Sequence, residues 1–360
     1  MDRKKVLCLI LCIGMLLPML IGCDKLLQGD PNDPGTGNQV PDSENITVEG
    51  DGAAHSANTP QPVPTEEPTP EPTATPAPTR APKEGDVTDR FPAYDTGADA
   101  DYSYQSDELR IAITRCEDPD EDIPLVYYVA DIWIRNINSL RMGFGYGKFN
   151  SGREDPEQFA VREHAIFAVN GTMNSGLVLH NGGAQTKGVE KSDINYRSGI
   201  VIIYRDGSVK TVNLAKKQSY NYKAENEKNG GVWQAFQFGP VLVQDGEITT
   251  RLKKNERQPR TIFGYVEPGH YIIVAVDGRT KTSIGMTEVE MAELMQSLGC
   301  TQAMNLDGGF STSMLFMGET VNERVNDDRN VNDMLLFAEY DAGGNAPELS
   351  QVHADKFKGE

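Results

Sequence analysis

The chain has 360 residues, a formal net charge of −19 and five cysteines. The acidic balance excludes a protein that binds nucleic acid through a broad basic surface. The few cysteines exclude a disulfide-rich fold, because three of the five lie before residue 24. Only Cys116 and Cys300 remain for the folded part, and their spacing leaves open whether they pair.

Residues 1–23 have the pattern of an export signal. The basic residues Arg3, Lys4 and Lys5 precede an apolar run from Val6 to Ile21, which is too short for a comfortable membrane span. The run ends in Leu-Ile-Gly-Cys at Cys23, which resembles the lipobox of bacterial lipoproteins. We therefore expect an extracytoplasmic protein that is lipid-anchored to the cell membrane through the Cys23 thiol, at the cell surface. An ordinary signal peptide that merely contains a cysteine is the alternative.

Residues 24–90 have the composition of a disordered stalk. This segment holds 12 of the 21 prolines and has 13 acidic residues against 4 basic ones. Such a sequence buries too little apolar surface to offset the conformational entropy of folding. We expect residues 91–342 to form one globular domain and residues 343–360 to form a flexible C-terminal tail.

Short apolar runs rich in β-branched and aromatic residues recur through the domain, and this pattern predicts strands. The sequence Asp206-Gly207 and the sequence Asp245-Gly246 predict tight hairpin turns. The predicted strands are Leu109–Thr114, Leu125–Ile134, Ala165–Val169, Gly199–Tyr204, Gly239–Val243, Thr261–Val266, Tyr271–Val276, Gln302–Leu306, Thr312–Phe316 and Met334–Phe337. The fold class is therefore mixed α/β of the α+β type, with many-stranded mixed sheets and few helices.

Two helices carry clear start signals. Asp155 is placed as an N-cap before Pro156, a residue that suits the first helical position. Thr287 and Glu290 have the spacing of a capping box. Apolar residues then recur at helical spacing up to Gly299, which is placed to end the second helix; they are Met291, Leu294, Met295 and Leu298.

The order strand, helix, strand from residue 271 to residue 306 predicts a βαβ unit with parallel strands and a right-handed crossover. Asp277-Gly278 follows the first strand and Asp307-Gly308 follows the second. Because parallel strands end at the same edge of a sheet, we expect both aspartates on one rim, where such sheets bind ligands. Asn170-Gly171 ends another strand in the same way.

Motifs throughout the domain resemble those of the phosphodiester glycosidase family, which includes the N-acetylglucosamine-1-phosphodiester α-N-acetylglucosaminidases. The most specific match is Asn305–Thr312, which resembles the NLDGGGSST signature. Phe310 replaces the third glycine of that signature, and Thr172 and His180 also depart from the family pattern. Further matches, in the family's order, are Tyr128–Ile132, Ala168–Gly171, Phe238–Val243, Gln258–Thr261, Val276–Arg279, Gly285–Thr287 and Asp328–Asp333.

The resemblance implies a cell-surface hydrolase that cleaves the C–O bond between a sugar and phosphate in an envelope or environmental glycan. Asp307 is the expected principal catalytic carboxylate, and Asp277 is its expected partner. Arg260 and Arg279 are candidates to bind phosphate oxygens through their planar guanidinium groups. The remaining candidates for substrate binding are the backbone amides of Gly308 and Gly309, the hydroxyls of Ser311 and Thr312, the amides of Asn170 and Asn305, and the ring of His180.

Two other functions stay open at this point. One is a non-catalytic polysaccharide-binding or exopolysaccharide-assembly lipoprotein, which would retain the binding pocket without hydrolysing a substrate. The departures from the family pattern at Thr172, Phe310 and His180 are compatible with this function. A phosphodiesterase that cuts the P–O bond would need a cluster of metal ligands, and the five histidines show no metal-binding spacing. We expect no cofactor, no metal site and no nucleic-acid partner.

Overall fold

The computed structural model describes residues 81–90, 100–119, 122–174, 176, 178–186, 198–214, 220, 224–250 and 252–340. All of them belong to one compact unit, Pro76–Glu360. The expected signal segment, residues 24–80 of the expected stalk and the expected tail lie outside the described residues. Among the helices of the described segments, none is both long and apolar enough to cross a bilayer.

The described residues of the domain form strands and two α-helices, α1 (Pro156–Arg162) and α2 (Glu288–Ser297). In chain order the strands are β1 (Tyr102–Gln105), β2 (Leu109–Asp118), β3 (Leu125–Ile134), β4 (Leu140–Phe144), β5 (Phe167–Asn170), β6 (Val178–His180), β7 (Gly183–Ala184), β8 (Gly199–Tyr204), β9 (Val209–Asn213), β10 (Val232–Phe238), β11 (Val241–Gln244), β12 (Glu247–Ile248), β13 (Arg260–Glu267), β14 (His270–Val276), β15 (Gln302–Asn305), β16 (Met314–Phe316), β17 (Glu319–Thr320) and β18 (Asp333–Phe337). This composition confirms the predicted strand-rich class with few helices.

The strands form three sheets. The first has eight strands in the order β1-β2-β3-β14-β13-β15-β11-β12. The second has the order β7-β6-β10-β8-β9, and the third has the order β17-β16-β5-β18-β4. Neighbouring strands pair antiparallel throughout these three orders.

The predicted βαβ unit corresponds to β14, α2 and β15. These two strands run in the same direction, because both pair antiparallel with β13. They are not neighbours, since β13 lies between them in the sheet. The two strands therefore end at the same edge, as expected, but are separated by two strand spacings, roughly 10 Å.

Helix α2 begins and ends as the sequence predicts. Thr287 Oγ1 accepts a hydrogen bond from the Glu290 amide at 3.2 Å, and Glu290 Oε2 accepts one from the Thr287 amide at 2.8 Å. Gly299 follows the helix with a φ of +81°, a conformation that glycine adopts without strain. The helix packs closely on the sheet at Gly264, where an added Cβ would lie 2.3 Å from Met295 Cε.

A continuous apolar core joins the three sheets. Phe263 of the first sheet contacts Phe236 of the second, with ring centroids 5.6 Å apart. Tyr271 of the first sheet contacts Phe337 of the third at 5.9 Å. These aromatic residues are almost fully buried, so the sheets are fixed against each other by interlocking side chains.

The domain begins before residue 91. Val87 packs against the core, and its amide donates to Arg135 O at 2.9 Å. Lys83 forms an ion pair with Glu108 at 2.7 Å. Residues 83–87 therefore belong to the folded domain and not to the stalk. Cys116 and Cys300 are both free thiols, which resolves the pairing that the sequence left open.

Candidate active site

The loops that carry the predicted arginines and aspartates meet at one edge of the eight-stranded sheet. Arg260, the first residue of β13, lies opposite Val276, the last residue of β14. Two residues further along β13, Ile262 lies opposite Asn305, the last residue of β15. The antiparallel register therefore places the start of β13 between the Asp277 loop and the Asp307 loop.

A cavity of about 930 Å³ opens at this edge. Its size is near the upper end of the range typical of small-molecule sites, roughly 300–1,000 Å³. Its charged and aromatic lining residues are three arginines, two acids and two phenylalanines: Arg260, Arg279, Arg329, Glu256, Asp307, Phe238 and Phe310. The three arginines outnumber the two acids, so the pocket carries a net positive charge in an acidic protein.

Asp307 is the best-placed carboxylate of the cavity. Its amide donates to Gly171 O at 3.1 Å, and its Oδ1 accepts a hydrogen bond from the Gly308 amide at 3.1 Å. Burial raises the pKa of the Asp307 carboxyl above its ordinary value, whereas hydrogen bonds from Ser311 and Gly308 and the charges of Arg329 and Arg153 lower it. The net shift is upward, which makes the ionised carboxylate a better proton acceptor.

Asn170 holds the Asp307 loop in place. Its Nδ2 donates to Asp307 O at 2.6 Å, while its Oδ1 accepts hydrogen bonds from Thr261 Oγ1 at 2.6 Å and from the Ser313 amide at 3.0 Å. The side chain is 1% exposed. The structure thus places this predicted sugar-binding residue behind the catalytic candidate, where it joins three segments of the chain.

Asn305 lines the cavity, but its side-chain oxygen does not reach the cavity surface. Its Nδ2 donates to Gly239 O at 3.0 Å. Its Oδ1 is buried and has no hydrogen-bond partner among the described residues. Because this oxygen has almost no accessible surface, a ligand in the cavity does not reach it, and Asn305 serves as part of the cavity wall.

The predicted arginines both reach the cavity but are held differently. Arg260 is buried, and its Nε and Nη2 donate to the carbonyl oxygens of Met286 at 3.2 Å and Glu256 at 3.0 Å. Arg279 is exposed and has a left-handed φ of 58°. Its Nη2 donates to Gln258 Oε1. Arg260 is therefore a fixed cation at the wall of the cavity, and Arg279 is a cation closer to solvent.

Arg329 is a cavity residue that the candidates chosen from the sequence did not include. Its Nε donates to Ser311 Oγ at 3.3 Å, and its charge lowers the pKa of Asp307. It follows β17 in the chain, far from Asp307 in sequence, so only the folded structure shows that the two meet. The signal that was available is its position inside the family-like segment Asp328–Asp333.

The expected anion nest at Gly308 and Gly309 does not form, because both amides are used within the protein. The Gly308 amide donates to Asp307, and the Gly309 amide donates to Pro259 O at 3.0 Å. Gly308 is needed for close packing instead, since an added Cβ would lie 2.7 Å from Pro259 O. Of the two predicted hydroxyls, Ser311 lines the cavity, whereas Thr312 is 2% exposed and is not part of its lining.

Asp277 lies on the expected rim but does not line the cavity, because β13 separates its strand from that of Asp307. Its Oδ1 accepts a hydrogen bond from Asn322 Nδ2 at 3.2 Å, and the residue is 2% exposed. Burial raises the pKa of its carboxyl to about 7; the Asn322 hydrogen bond lowers it and the Glu323 charge raises it. The geometry therefore does not support the expected pairing of Asp277 with Asp307.

We predict that Asp277→Asn removes a pH-dependent loss of stability. The pKa of the Asp277 carboxyl is about 7 in the folded protein and near 4 in the unfolded chain, so protonation of this group favours the folded state. This stabilisation is fully present below pH 4. That contribution disappears as the pH rises to 7 and should reach roughly 2–4 kcal/mol. In urea unfolding between pH 5 and 8, the free energy of unfolding of the variant should increase relative to that of the wild type as the pH rises. Its kcat/KM should stay nearly unchanged.

The matched control for this prediction is the same substitution at the exposed Asp328. We expect its unfolding curves to follow those of the wild type at every pH. Parallel pH profiles for Asp277→Asn and the wild type would contradict the proposed burial effect.

His180 does not belong to the cavity. Its ring packs 4.6 Å from the ring of Phe144, and burial lowers the pKa of the imidazole. Asn181 Nδ2 lies 3.1 Å from its Nε2. The structure therefore assigns His180 a packing position at the end of β6, away from the residues that line the cavity. Among the described residues, no group of three or more His, Cys, Asp or Glu side chains has the arrangement of a metal site.

Comparisons with known proteins agree with this architecture. A family model described as phosphodiester glycosidase matches residues 157–338. The SPbeta prophage-derived uncharacterized protein YomE of Bacillus subtilis strain 168 is 29% identical over 184 residues, which cover 48% of this chain and 27% of that protein. The chain thus spans about a quarter of the length of this relative.

Two solved structures serve for comparison, and one of them is the catalytic domain of a glycosidase. The catalytic domain of zebrafish N-acetylglucosamine-1-phosphodiester alpha-N-acetylglucosaminidase, auto-inhibited by its pro-peptide, has a TM-score of 0.52 and 17% identity, over 68% of this chain and 87% of that one. A hypothetical protein from Synechocystis has a TM-score of 0.43 and 14% identity, over 64% and 62% of the two chains. At 17% identity the likeness to the zebrafish domain concerns the fold.

Proposed function

Because the chain belongs to the phosphodiester glycosidase family, we propose that it hydrolyses the bond between a sugar anomeric carbon and phosphate, in a phosphodiester of an envelope or environmental glycan. The observation that carries this proposal is the half-buried carboxylate of Asp307 in a cavity that also contains three guanidinium groups. Carboxylates stabilise positive charge at an anomeric carbon, and guanidinium groups bind phosphate.

Asp307 and the three arginines have different roles in this reaction. A water molecule attacks the anomeric carbon and gives its proton to the Asp307 carboxylate. The C–O bond breaks, and its electron pair leaves with the phosphate monoester. Arg260, Arg279 and Arg329 stabilise the negative charge on this leaving group, so proton donation to it is less important than in ordinary glycosidases.

One carboxylate is sufficient for this scheme. Glu256 is the other acidic residue of the cavity lining, and it forms an ion pair with Lys253. Lys253 does not line the cavity, and the scheme assigns Glu256 no catalytic role.

A panel of sugar-1-phosphodiesters tests the proposal. The purified chain should release free sugar and a phosphate monoester from at least one member, in amounts that rise together. Binding of a glycan without turnover of any member would contradict hydrolysis and favour a carbohydrate-binding role.

We also propose that the protein is anchored to the cell membrane through a lipid on Cys23, since the sequence Leu-Ile-Gly-Cys follows a basic and apolar leader. In the expressing bacterium, Cys23→Ser should move the protein from the membrane fraction to the soluble fraction or leave its leader uncleaved. Cys12→Ser, within the apolar run, is the matched control and should leave the distribution unchanged. A Cys23→Ser protein whose leader is cleaved and that is as strongly membrane-associated as the wild type would refute the lipid anchor.

A further inference from the structure

Phe310 places an aromatic ring at the mouth of the cavity. It lies in the 3-10 turn Gly309–Ser311, three residues beyond Asp307, and is 49% exposed. The family signature that this segment resembles has a glycine at this position, so Phe310 is a departure from that signature. Exposing a phenyl ring to water is unfavourable, and a ligand that covers the ring would recover that free energy.

Arg279 and Phe310 form one surface, which we call the Arg279–Phe310 shelf. The guanidinium carbon of Arg279 lies 5.5 Å from the ring centroid of Phe310, within the range of a cation–π contact. A Cβ on Gly309 would lie 3.3 Å from Arg279 Nη1, so the guanidinium packs directly on the turn that carries the ring. Its bond to Gln258 holds it from the other side.

The exposure of the site residues increases from the inner end of the cavity to its mouth. Asn305 is 4% exposed, Asp307 is half-buried, and Phe310 is 49% exposed. A sugar bound at Asn305 with its anomeric carbon at Asp307 therefore directs its phosphate towards the arginines. The group on the far side of the phosphate then meets the Arg279–Phe310 shelf.

The lining of the cavity indicates what that group is. Phe238 and Phe310 are the only large apolar side chains among the described lining residues, and polar neighbours such as Glu256 and Gln258 surround the shelf. A lipid chain would require a continuous apolar lining. A pyranose ring has an apolar C–H face that packs on an aromatic ring and hydroxyls that bond to the polar groups around it.

We propose that the Arg279–Phe310 shelf is the subsite for the alcohol portion of the substrate and that it selects a pyranose ring there. This inference rests on the proposed function, because it assumes a sugar-1-phosphodiester with its anomeric carbon at Asp307. Phe310 is accordingly a specificity-determining residue that acts on substrate binding, and it takes no part in bond cleavage.

Three substrates with the same sugar-1-phosphate test this inference on the purified full chain. Their alcohols are a hexose, a methyl group and a long alkyl chain. The wild type should have its lowest KM for the hexose ester. Phe310→Gly should raise the KM for the hexose ester about tenfold and leave its kcat, and both constants for the methyl ester, nearly unchanged. Phe310→Tyr, which keeps a ring, should resemble the wild type.

Tyr146→Gly is the matched control, because Tyr146 is 63% exposed and is not part of the cavity lining. It should leave all three KM values unchanged. An equal effect of Phe310→Gly on the hexose and methyl esters, or a wild-type preference for the alkyl ester, would overturn the shelf proposal while leaving the hydrolytic function intact. No turnover of any ester by the wild type would overturn both.

Discussion

Asp307→Asn should lower kcat/KM for a sugar-1-phosphodiester about 10³-fold, since general acid–base groups contribute roughly 10²–10⁴-fold. Asparagine neither accepts the proton of the attacking water nor stabilises positive charge at the anomeric carbon. The fold should tolerate the change, because asparagine has the same shape and its Oδ1 still accepts the hydrogen bond of the Gly308 amide. Steady-state kinetics and thermal unfolding of the same preparation measure the two effects separately.

Asp328→Asn is the matched control for Asp307→Asn. It removes one exposed carboxylate next to Arg329 in sequence and should retain kcat/KM within about twofold. An Asp307→Asn protein that is folded and retains more than a tenth of the wild-type kcat/KM would show that Asp307 is not the principal carboxylate.

Arg329→Gln should have two effects. Loss of a cation that stabilises developing negative charge should lower kcat/KM about 10²-fold, the size typical of removing one such donor. Loss of the same charge from beside Asp307 should raise the pKa of Asp307 further, because Arg329 lowers it in the native protein. The acidic limb of the kcat/KM profile, where activity rises as Asp307 ionises, should therefore move to higher pH.

Arg329→Lys separates these two effects. It keeps the positive charge, so the acidic limb should stay near its wild-type position, but it loses the planar group that donates to Ser311. If Arg329→Gln leaves kcat/KM unchanged and the acidic limb of its pH profile stays at the wild-type position, Arg329 does not have this role.

The sequence predicted the strands with the clearest apolar runs and missed others for identifiable reasons. The predicted strands Leu125–Ile134 and Gly199–Tyr204 coincide with β3 and β8. Strand β10 was missed because Gln234 and Gln237 interrupt its apolar pattern. Both are buried, and Gln234 Oε1 accepts a hydrogen bond from the Asn181 amide at 3.0 Å. A polar residue whose partner comes from a distant part of the chain cannot be recognised as buried from local pattern alone.

The site was predictable where it depends on motifs and unpredictable where it depends on topology. Asp307, Arg260 and Arg279 were predicted and line the cavity together. Asp277 was expected beside Asp307, but the hairpin of β13 and β14 inserts β13 between their strands. Strand direction follows from the βαβ pattern, whereas the order of strands across a sheet does not.

The most direct test of the proposed chemistry identifies which bond breaks. The wild-type chain and Asp307→Asn are incubated in ¹⁸O-labelled water with a sugar-1-phosphodiester that the wild type hydrolyses. The products are analysed by mass spectrometry. Cleavage of the C–O bond predicts ¹⁸O in the released sugar, with this product strongly reduced in the Asp307→Asn sample. ¹⁸O in the phosphate monoester would mean that the P–O bond is cut, which would contradict the proposed role of Asp307 at the anomeric carbon.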